Sequence, residues 1–290
     1  MNNKLNNMLQ EFLTNNEVEN EEELNEKLQD FIEKYNAGEI DYENTILDDA
    51  YELLTKASST KSKKQAIKYA KEAYDMCPDC FDAILFQVNL EDNPIKRMQL
   101  LEEGLEYEKD RLTDEEYFEK DKGHFYGIFE TRPYIRGLYA KATYLIMDGK
   151  IKKARDVCRE IIKLNEHDNT GARYLLMAIY AILEEEKDML KLYKKYPEED
   201  LEMLVPLFIL YYKQDNSKKA KEYLDRINKA NPDFIKFFKG TMKENKDVPE
   251  GYYSKGDSSE VMMYFMQYDF LLATMPTLDY YILANSKKKK

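Results

Sequence analysis

The chain contains 290 residues, of which 43% are apolar, and it carries a net charge of −12. Its 24 Tyr and 13 Phe, set against only 10 Gly and 8 Pro, favour a helical core and argue against a turn-rich all-β protein. Because a nucleic-acid-binding protein contacts phosphates through a basic face, the acidic balance also argues against that class, and no nucleic-acid partner is expected.

No stretch of the sequence approaches the roughly 18 apolar residues in a row that predict a membrane-spanning helix. Residues 1–4 show no apolar signal-peptide core, and the three cysteines give no even disulfide framework. Glycine loops that hold phosphate groups and paired metal-ligand spacings are also lacking. The sequence therefore predicts a cytoplasmic protein without membrane insertion, cofactor or metal.

Two apolar stripes with helical spacing begin the chain and predict an N-terminal helical region, residues 1–44. The first stripe consists of Leu5, Met8, Leu9, Phe12 and Leu13, and the second of Leu24, Leu28, Phe31, Ile32 and Tyr35. Gly38 follows the second stripe, at a place where glycine commonly ends a helix.

A sequence pattern then occurs three times and is here called the alanine phrase. In each occurrence a helix begins with alanine and a turn closes it twelve residues later. The opening and closing residues are Ala66 and Pro78, Ala154 and Glu166, and Ala220 and Pro232. The second and third phrases are separated by about two periods of roughly 33 residues, the length of a tetratricopeptide helix pair. Such pairs bury their apolar faces by stacking, so residues 45–285 are predicted to form a tetratricopeptide-like helical repeat domain.

The predicted fold is all-α, a right-handed superhelical solenoid of five to six helix pairs with helical caps at both ends. The pairs are placed at residues 45–78, 81–107, 133–166, 169–197 and 201–232. The charged segment 108–123 interrupts the period and is predicted to be an irregular insertion. An apolar helical segment at 258–283, with a new start near Pro276, is expected to cover the open end of the stack, and 286–290 form a basic tail.

Residues 123–127 (GHFYG) and 130–136 (ETRPYIR) resemble the GHFWG…ETRPYMR signature of a bacterial tetratricopeptide-like family. Residues 164–176 are similar to its second signature, LNPNDNQGxRYLL, and a weaker match lies at 249–256. The signature positions of interest are His124, Tyr126, Glu130, Arg132, Tyr134, Asp168 and Asn169. The resemblance implies a helical-repeat protein with no established reaction, and it extends distantly to the eukaryotic ST-seven tumour-suppressor proteins.

Three departures from these signatures stand out. The chain has Tyr126 where the family has Trp, Glu166 where it has Pro, and Thr170 where it has Gln. The loss of the proline is expected to weaken the turn and places a charge there.

The segment Cys77-Pro78-Asp79-Cys80 permits three interpretations. A zinc site needs about four ligands, and the other candidates, Cys158, His124 and His167, lack paired spacing. A redox-active dithiol is typical of a βαβ context. The favoured interpretation is a structural turn between two helices, where proline is expected.

His124, Glu130 and Arg132 form a combination suited to acid–base chemistry, although no nucleophile or metal motif accompanies them. The alternative is a packed turn that joins the insertion to the helical repeat, with the two charged residues paired to each other or to neighbouring helices.

The inner groove of the predicted stack is the principal candidate binding surface. In stacked helix pairs the first helix of each pair faces this groove, and side chains at helical spacing point into it. The candidate ligand-binding residues are Arg136, Tyr139, Thr143, Arg173, Met177, Tyr180, Val205, Ile209 and Tyr212. Two arginines beside aromatic rings suit a peptide carboxylate or an acidic segment. The alternative is that Arg136 and Arg173 form salt bridges with Glu130, Asp168 or other acids at helix starts.

The predicted function is that of a protein- or peptide-binding scaffold, and no catalytic residue is assigned. Two other hypotheses remain open. One is an enzyme or regulator that uses the segment from His124 to Arg136, and the other is a structural protein that self-associates through its apolar C-terminal helix.

Overall fold

A computed structural model describes residues 5, 8–9, 12–13, 20–40, 42–245, 247–249, 251–272 and 275–286. Across these residues the regular structure is helical throughout, with fifteen helices and no β-strand, which confirms the all-α prediction. The chain divides into two compact units, residues 1–111 and 112–290. None of the described helices is long and apolar enough to cross a membrane.

In unit 1, residues 1–111, the stretch described from residue 20 onward holds four complete helices and most of a fifth. They are α1 (Glu21–Ala37), α2 (Ile46–Ser59), α3 (Lys63–Met76), α4 (Phe81–Leu90) and α5 (Pro94–Asp114). Gly38 ends α1 in the left-handed conformation, as predicted from its position. The residues of the first apolar stripe are helical, and the Phe12 ring lies 5.4 Å from that of Phe31, so this stripe packs on α1.

Small side chains let the helices of unit 1 approach one another. Ala50 on α2 and Ala70 and Ala73 on α3 are fully buried, in one core cluster with Cys77 and Cys80. Helices α2, α3 and α4 all pack against each other around this cluster. The alanine phrase therefore marks a close helix–helix contact, which is the role predicted for it.

Unit 2, residues 112–290, continues the succession of helices. They are α6 (Tyr117–Lys120), α7 (Arg132–Met147), α8 (Ile151–Leu164), α9 (Ala172–Leu183), α10 (Glu186–Lys195), α11 (Leu201–Lys213), α12 (Ser217–Ala230), α13 (Pro232–Phe238), α14 (Ser258–Leu272) and α15 (Leu278–Asn285). From α7 to α13, each helix packs against the next one in the chain. Ala154 and Ala220, which begin the second and third phrases, are fully buried.

The segment predicted as an irregular insertion, 108–123, is helical in its first half. Helix α5 continues to Asp114, and the four-residue helix α6 follows after a turn. The division between the two units also falls inside this segment, after Arg111. Charge alone did not break α5, because Glu, Lys and Arg are good helix formers and the buried Glu108 is paired with Arg111 one turn later at 2.8 Å.

The C-terminal part takes a position other than the predicted one. It was expected to cover the open end of a predicted stack, whereas α14 packs against α9 and α11, and also against α13. Helices α9 and α11 are the first helices of two predicted pairs. The break before Pro276 is confirmed, since α14 ends at Leu272 and α15 begins at Leu278. The lysine run of the predicted basic tail, 287–290, lies outside the described residues.

Candidate functional site

The predicted groove residues do not share one environment. Arg136, Tyr139 and Thr143 are half-buried on a single face of α7. On α9, Met177 is fully buried and the Tyr180 hydroxyl group accepts a hydrogen bond from Arg159 Nε of α8 at 3.0 Å. Tyr180 therefore faces the preceding helix.

The groove residues of α11 contact the C-terminal part of the chain. Val205 and Ile209 are fully buried. The Tyr212 ring lies 5.1 Å from that of Tyr281 on α15, and its hydroxyl group is 2.7 Å from Thr277 Oγ1. The chain itself therefore occupies the surface that these residues were predicted to offer to a ligand.

Arg173 lies between two carboxylates. Its guanidinium group is 3.0 Å from Asp168 Oδ2 and 3.1 Å from Glu198 Oε2, and it lies 4.0 Å from the centre of the Tyr174 ring. Asp168 also accepts the backbone N–H groups of Ala172 and Arg173, both at 2.8 Å, and so caps the start of α9. The salt bridge with Asp168 is the alternative weighed for this arginine from the sequence.

Burial and hydrogen bonding have opposite effects on the pKa values of the carboxyl groups in this network. Burial raises the pKa of Asp168 above its usual value, although Arg173 and two backbone N–H groups favour the charged form. Burial also tends to raise the pKa of Glu198. Hydrogen bonds from Tyr174 and Arg173 have the larger effect, and they lower this pKa below its usual value. Arg173 is therefore neutralised by groups of the chain, which makes it a poor partner for the carboxylate of a ligand.

The two signature segments meet in the structure. The backbone N–H groups of Gly123 and Phe125 donate to the Leu164 carbonyl group at 3.1 and 3.0 Å, and that of Glu166 donates to Gly123 at 2.8 Å. These bonds join 123–136 to 164–176 and bring the exposed His124 and His167 rings to 6.3 Å.

The polar residues of the first signature brace its turn. Arg132 Nε donates to the Tyr126 carbonyl group at 2.8 Å, and the guanidinium group lies 4.4 Å from the centre of the Phe129 ring. Tyr134 is buried on α7 with its hydroxyl group 3.5 Å from Glu160, whereas Glu130 and Asn169 are exposed. This geometry matches the packed turn that was weighed against acid–base chemistry.

Sequence reasoning missed a second polar cluster in unit 2, here called the Glu202 cluster. It comprises Asp200, Glu202, Tyr253, Lys255, Glu260 and Tyr264. The starts of α11 and α14 and the loop before α14 bring these residues together. Tyr253 donates to Glu202 Oε1 at 3.4 Å, and Lys255 Nζ lies 3.3 Å from Asp200 Oδ2.

The carboxylates of this cluster are almost completely buried. Glu202 is 6% exposed, Asp200 4% and Glu260 3%. Burial and the charges of Asp200 and Glu260 raise the pKa of Glu202 to about 7. Among the described residues, Glu202 Oε2 and the Tyr264 hydroxyl group are buried without a hydrogen-bond partner. A cluster of carboxylates with such a perturbed pKa is a candidate functional site.

No protein-family model and no curated protein matches this chain. The resemblance to a tetratricopeptide-like family therefore rests on the motifs in the sequence alone.

Part of the Glu202 cluster had a signal in the sequence. Tyr253 and Lys255 belong to 249–256, the weaker match to the family, whereas Glu202 and Glu260 looked like ordinary charged residues in the first turns of helices. Their burial follows from the packing of α14 against α11, which no local pattern predicts.

The Cys77–Cys80 segment forms a turn between α3 and α4 in unit 1. The Cys80 N–H group donates to the Cys77 carbonyl group at 2.9 Å, and both thiols are buried and free. Burial raises the pKa of Cys77, and it raises that of Cys80 to about 12. Both groups therefore remain thiols at neutral pH, although the start of a helix can lower a thiol pKa. No three His, Cys, Asp or Glu residues in the described part of the chain are arranged to hold a metal ion.

Proposed function

We propose that this protein is a cytoplasmic helical-repeat scaffold that binds a protein or peptide partner, with the helix pairs of unit 2 stacked as a tetratricopeptide-like superhelix. The observation that carries the proposal is the docking of α14 on α9 and α11. The first helices of two pairs accept a further helix of the same chain, which is the geometry by which helical grooves recognise helical ligands.

An external partner binds beside α14 and does not replace it. Val261, Tyr264, Tyr268 and Leu271 of α14 are buried almost completely. Burial of each such side chain contributes about 1.5–3 kcal/mol, so removal of all four would cost on the order of 6–12 kcal/mol. That cost is of the same size as the roughly 8 kcal/mol that a micromolar ligand supplies, which leaves such a ligand little net binding energy if it displaces α14.

The half-buried face of α7 is the best-placed surface for the partner. Arg136, Tyr139 and Thr143 line it at helical spacing. The Tyr139 hydroxyl group points inward, since burial raises its pKa to about 12 and the charge of Asp168 acts on it, so this side chain offers a partner its apolar ring edge. Arginine is the hot-spot type that adds directed hydrogen bonds on this face. The arginine also suits a carboxylate of the partner, as the sequence predicted.

The test compares capture by the full-length protein and two single variants. Arg136→Ala removes one cation from the α7 face, whereas Lys153→Ala removes one from the exposed side of α8. We expect affinity capture from an extract of the native organism, quantified by mass spectrometry, to recover one partner with the unmodified protein and Lys153→Ala. Recovery with Arg136→Ala should fall at least tenfold.

Thermal unfolding followed by circular dichroism verifies that both variants remain folded. If folded Arg136→Ala captures the same proteins in the same amounts as Lys153→Ala, the α7 face is not the binding surface. If none of the three proteins enriches any partner over an unrelated acidic bait, the scaffold proposal itself fails.

A further inference from the structure

We propose that the Glu202 cluster binds a cationic group, specifically the ammonium group of a lysine side chain presented by a peptide. Its test uses Glu202 and a lysine peptide, neither of which enters the test of the scaffold proposal, so the two proposals can fail separately.

The charge balance of the region favours a cationic ligand. Five carboxylates surround the starts of α9, α11 and α14, namely Asp168, Glu198, Asp200, Glu202 and Glu260. The cations paired with them are Arg173 and Lys255. Arg173 is held by Asp168 and Glu198, and Lys255 is paired with Asp200, so neither cation is paired with Glu202. Lys255 acts on Glu202 only from a distance, because it is 67% exposed and paired with Asp200. A buried carboxylate that is incompletely compensated is costly, and a ligand cation would relieve that cost.

Two unpartnered oxygen atoms define where the ligand group would sit. Glu202 Oε2 and the Tyr264 hydroxyl oxygen have no hydrogen-bond partner in the described structure, and Tyr264 is only 1% exposed. Buried polar atoms of this kind are rare in folded proteins and call for an explanation. Glu202 is near enough to influence the pKa of Tyr264, and an ammonium group has three donors, so one group can serve several acceptors at once.

The surrounding groups favour ammonium over guanidinium. Glu202 Oε1 already accepts from Tyr253 at 3.4 Å and only Oε2 lacks a partner, which suits a compact single-point donor better than the two parallel hydrogen bonds of an arginine. The rings of Tyr264 and Tyr268 stack at 4.9 Å beside the carboxylate and provide aromatic surface for a compact cation.

A route for the ligand leads past the loop before α14. Lys255 and Tyr253 on this loop are 67% and 38% exposed, respectively, whereas the carboxylates beneath them are buried. Gly251 and Gly256 flank the loop in the left-handed region, where a residue with a side chain is strained. A ligand that approaches from this side would have to displace these two exposed side chains, which contact Asp200 and Glu202.

The experiment uses the full-length protein and a capped Gly-Gly-Lys-Gly-Gly peptide, titrated by calorimetry at pH 8. Glu202→Gln removes the buried charge, and Glu222→Gln makes the same chemical change at an exposed position on α12. We expect the unmodified protein and Glu222→Gln to bind the peptide equally. Binding by Glu202→Gln should be at least tenfold weaker, and the peptide acetylated on its lysine should not bind.

The pH dependence of peptide binding provides a second test, because it would not follow the ionisation of Glu202 if this residue only supported the fold. The charged and titratable groups around Glu202 are Asp200, Tyr253, Lys255, Glu260, Tyr264 and Tyr268. Because the pKa of Glu202 is about 7, lowering the pH from 8 to 6 neutralises it and should weaken peptide binding about tenfold. This component of the pH dependence should be absent in Glu202→Gln.

The proposal is overturned if the unmodified protein does not bind the peptide, or if Glu202→Gln and Glu222→Gln bind it equally. The latter result would mean that only the general negative charge attracts lysine. Circular dichroism and thermal unfolding of Glu202→Gln exclude misfolding as the cause of weak binding, since removal of an uncompensated buried charge should not destabilise the protein.

Discussion

At the scale of single residues, Arg173 shows how burial changes the role of a charged side chain. The guanidinium group is 14% exposed, and its partner Asp168 is completely buried at the side chain. An exposed pair of the same type contributes little to stability, whereas loss of one member of a buried pair leaves a charge without compensation. The residue that the sequence proposed as a ligand contact is thus part of the framework that starts α9.

Replacement of this arginine tests that role. We expect Arg173→Met to lower the free energy of unfolding by about 3–5 kcal/mol, because Asp168 would remain buried without its cation. Urea denaturation at neutral pH measures the change. Lys221→Met is the control, since it breaks the exposed pair with Asp225 on α12 and should cost less than about 0.5 kcal/mol. Equal effects of the two variants would contradict a structural role for Arg173.

At the scale of elements, Gly104 permits close contact between α5 and α4 in unit 1. A Cβ atom at this position would lie 2.8 Å from both Ile84 Cγ2 and Phe81 Cε2. Glycine normally weakens a helix by about 1 kcal/mol relative to alanine. The close approach of the two helices explains why a residue with this disadvantage occupies the interior of α5.

The variant Gly104→Ala measures the balance of these two effects. We expect it to destabilise the protein by about 1–3 kcal/mol in urea denaturation, because overpacking outweighs the gain in helix propensity. The double variant Gly104→Ala/Ile84→Ala provides the control. It removes one of the two side chains that obstruct the new methyl group, so the glycine substitution should cost less in that background. A stabilising effect of Gly104→Ala alone would show that α4 and α5 are not in close contact.

At the scale of the whole molecule, the C-terminal helices belong to the core of unit 2. The inner side of α14 is buried against α9, α11 and α13, while Met266 and Met262 on the same helix are exposed. The hypothesis of self-association through this helix requires that its apolar surface be available to a second copy. Most of that surface is already used within the chain.

Truncation distinguishes these two roles of the C-terminal segment. A chain that ends at Gly256 lacks α14 and α15, and we expect it to aggregate and to lose its cooperative thermal transition, because apolar surface of α9 and α11 becomes exposed. Size-exclusion chromatography with light scattering and circular dichroism measure both effects. A chain that ends at Ser286 is the control and should behave as the full-length protein. If the shorter chain is instead a well-folded monomer and the full-length protein a dimer, self-association is the better explanation.

The all-α class and many helix limits were available from the sequence because they depend on local properties. Helical spacing of apolar residues, the alanine phrase and the glycine after α1 act within one or two turns of backbone. No local pattern predicts that residues 123–136 pair with residues 164–176, although both segments were identified in the sequence by their resemblance to family signatures.

The sequence by itself determined the secondary structure, namely helices with one apolar side and small residues at their contacts. The tertiary structure alone decided that α14 covers α9 and α11, that Arg173 is neutralised, and that Glu202 is buried beside Tyr264. The physical reason is that burial and counter-charges arise between residues far apart in the chain. A charged residue at the start of a helix has the same local pattern whether it faces water or another helix.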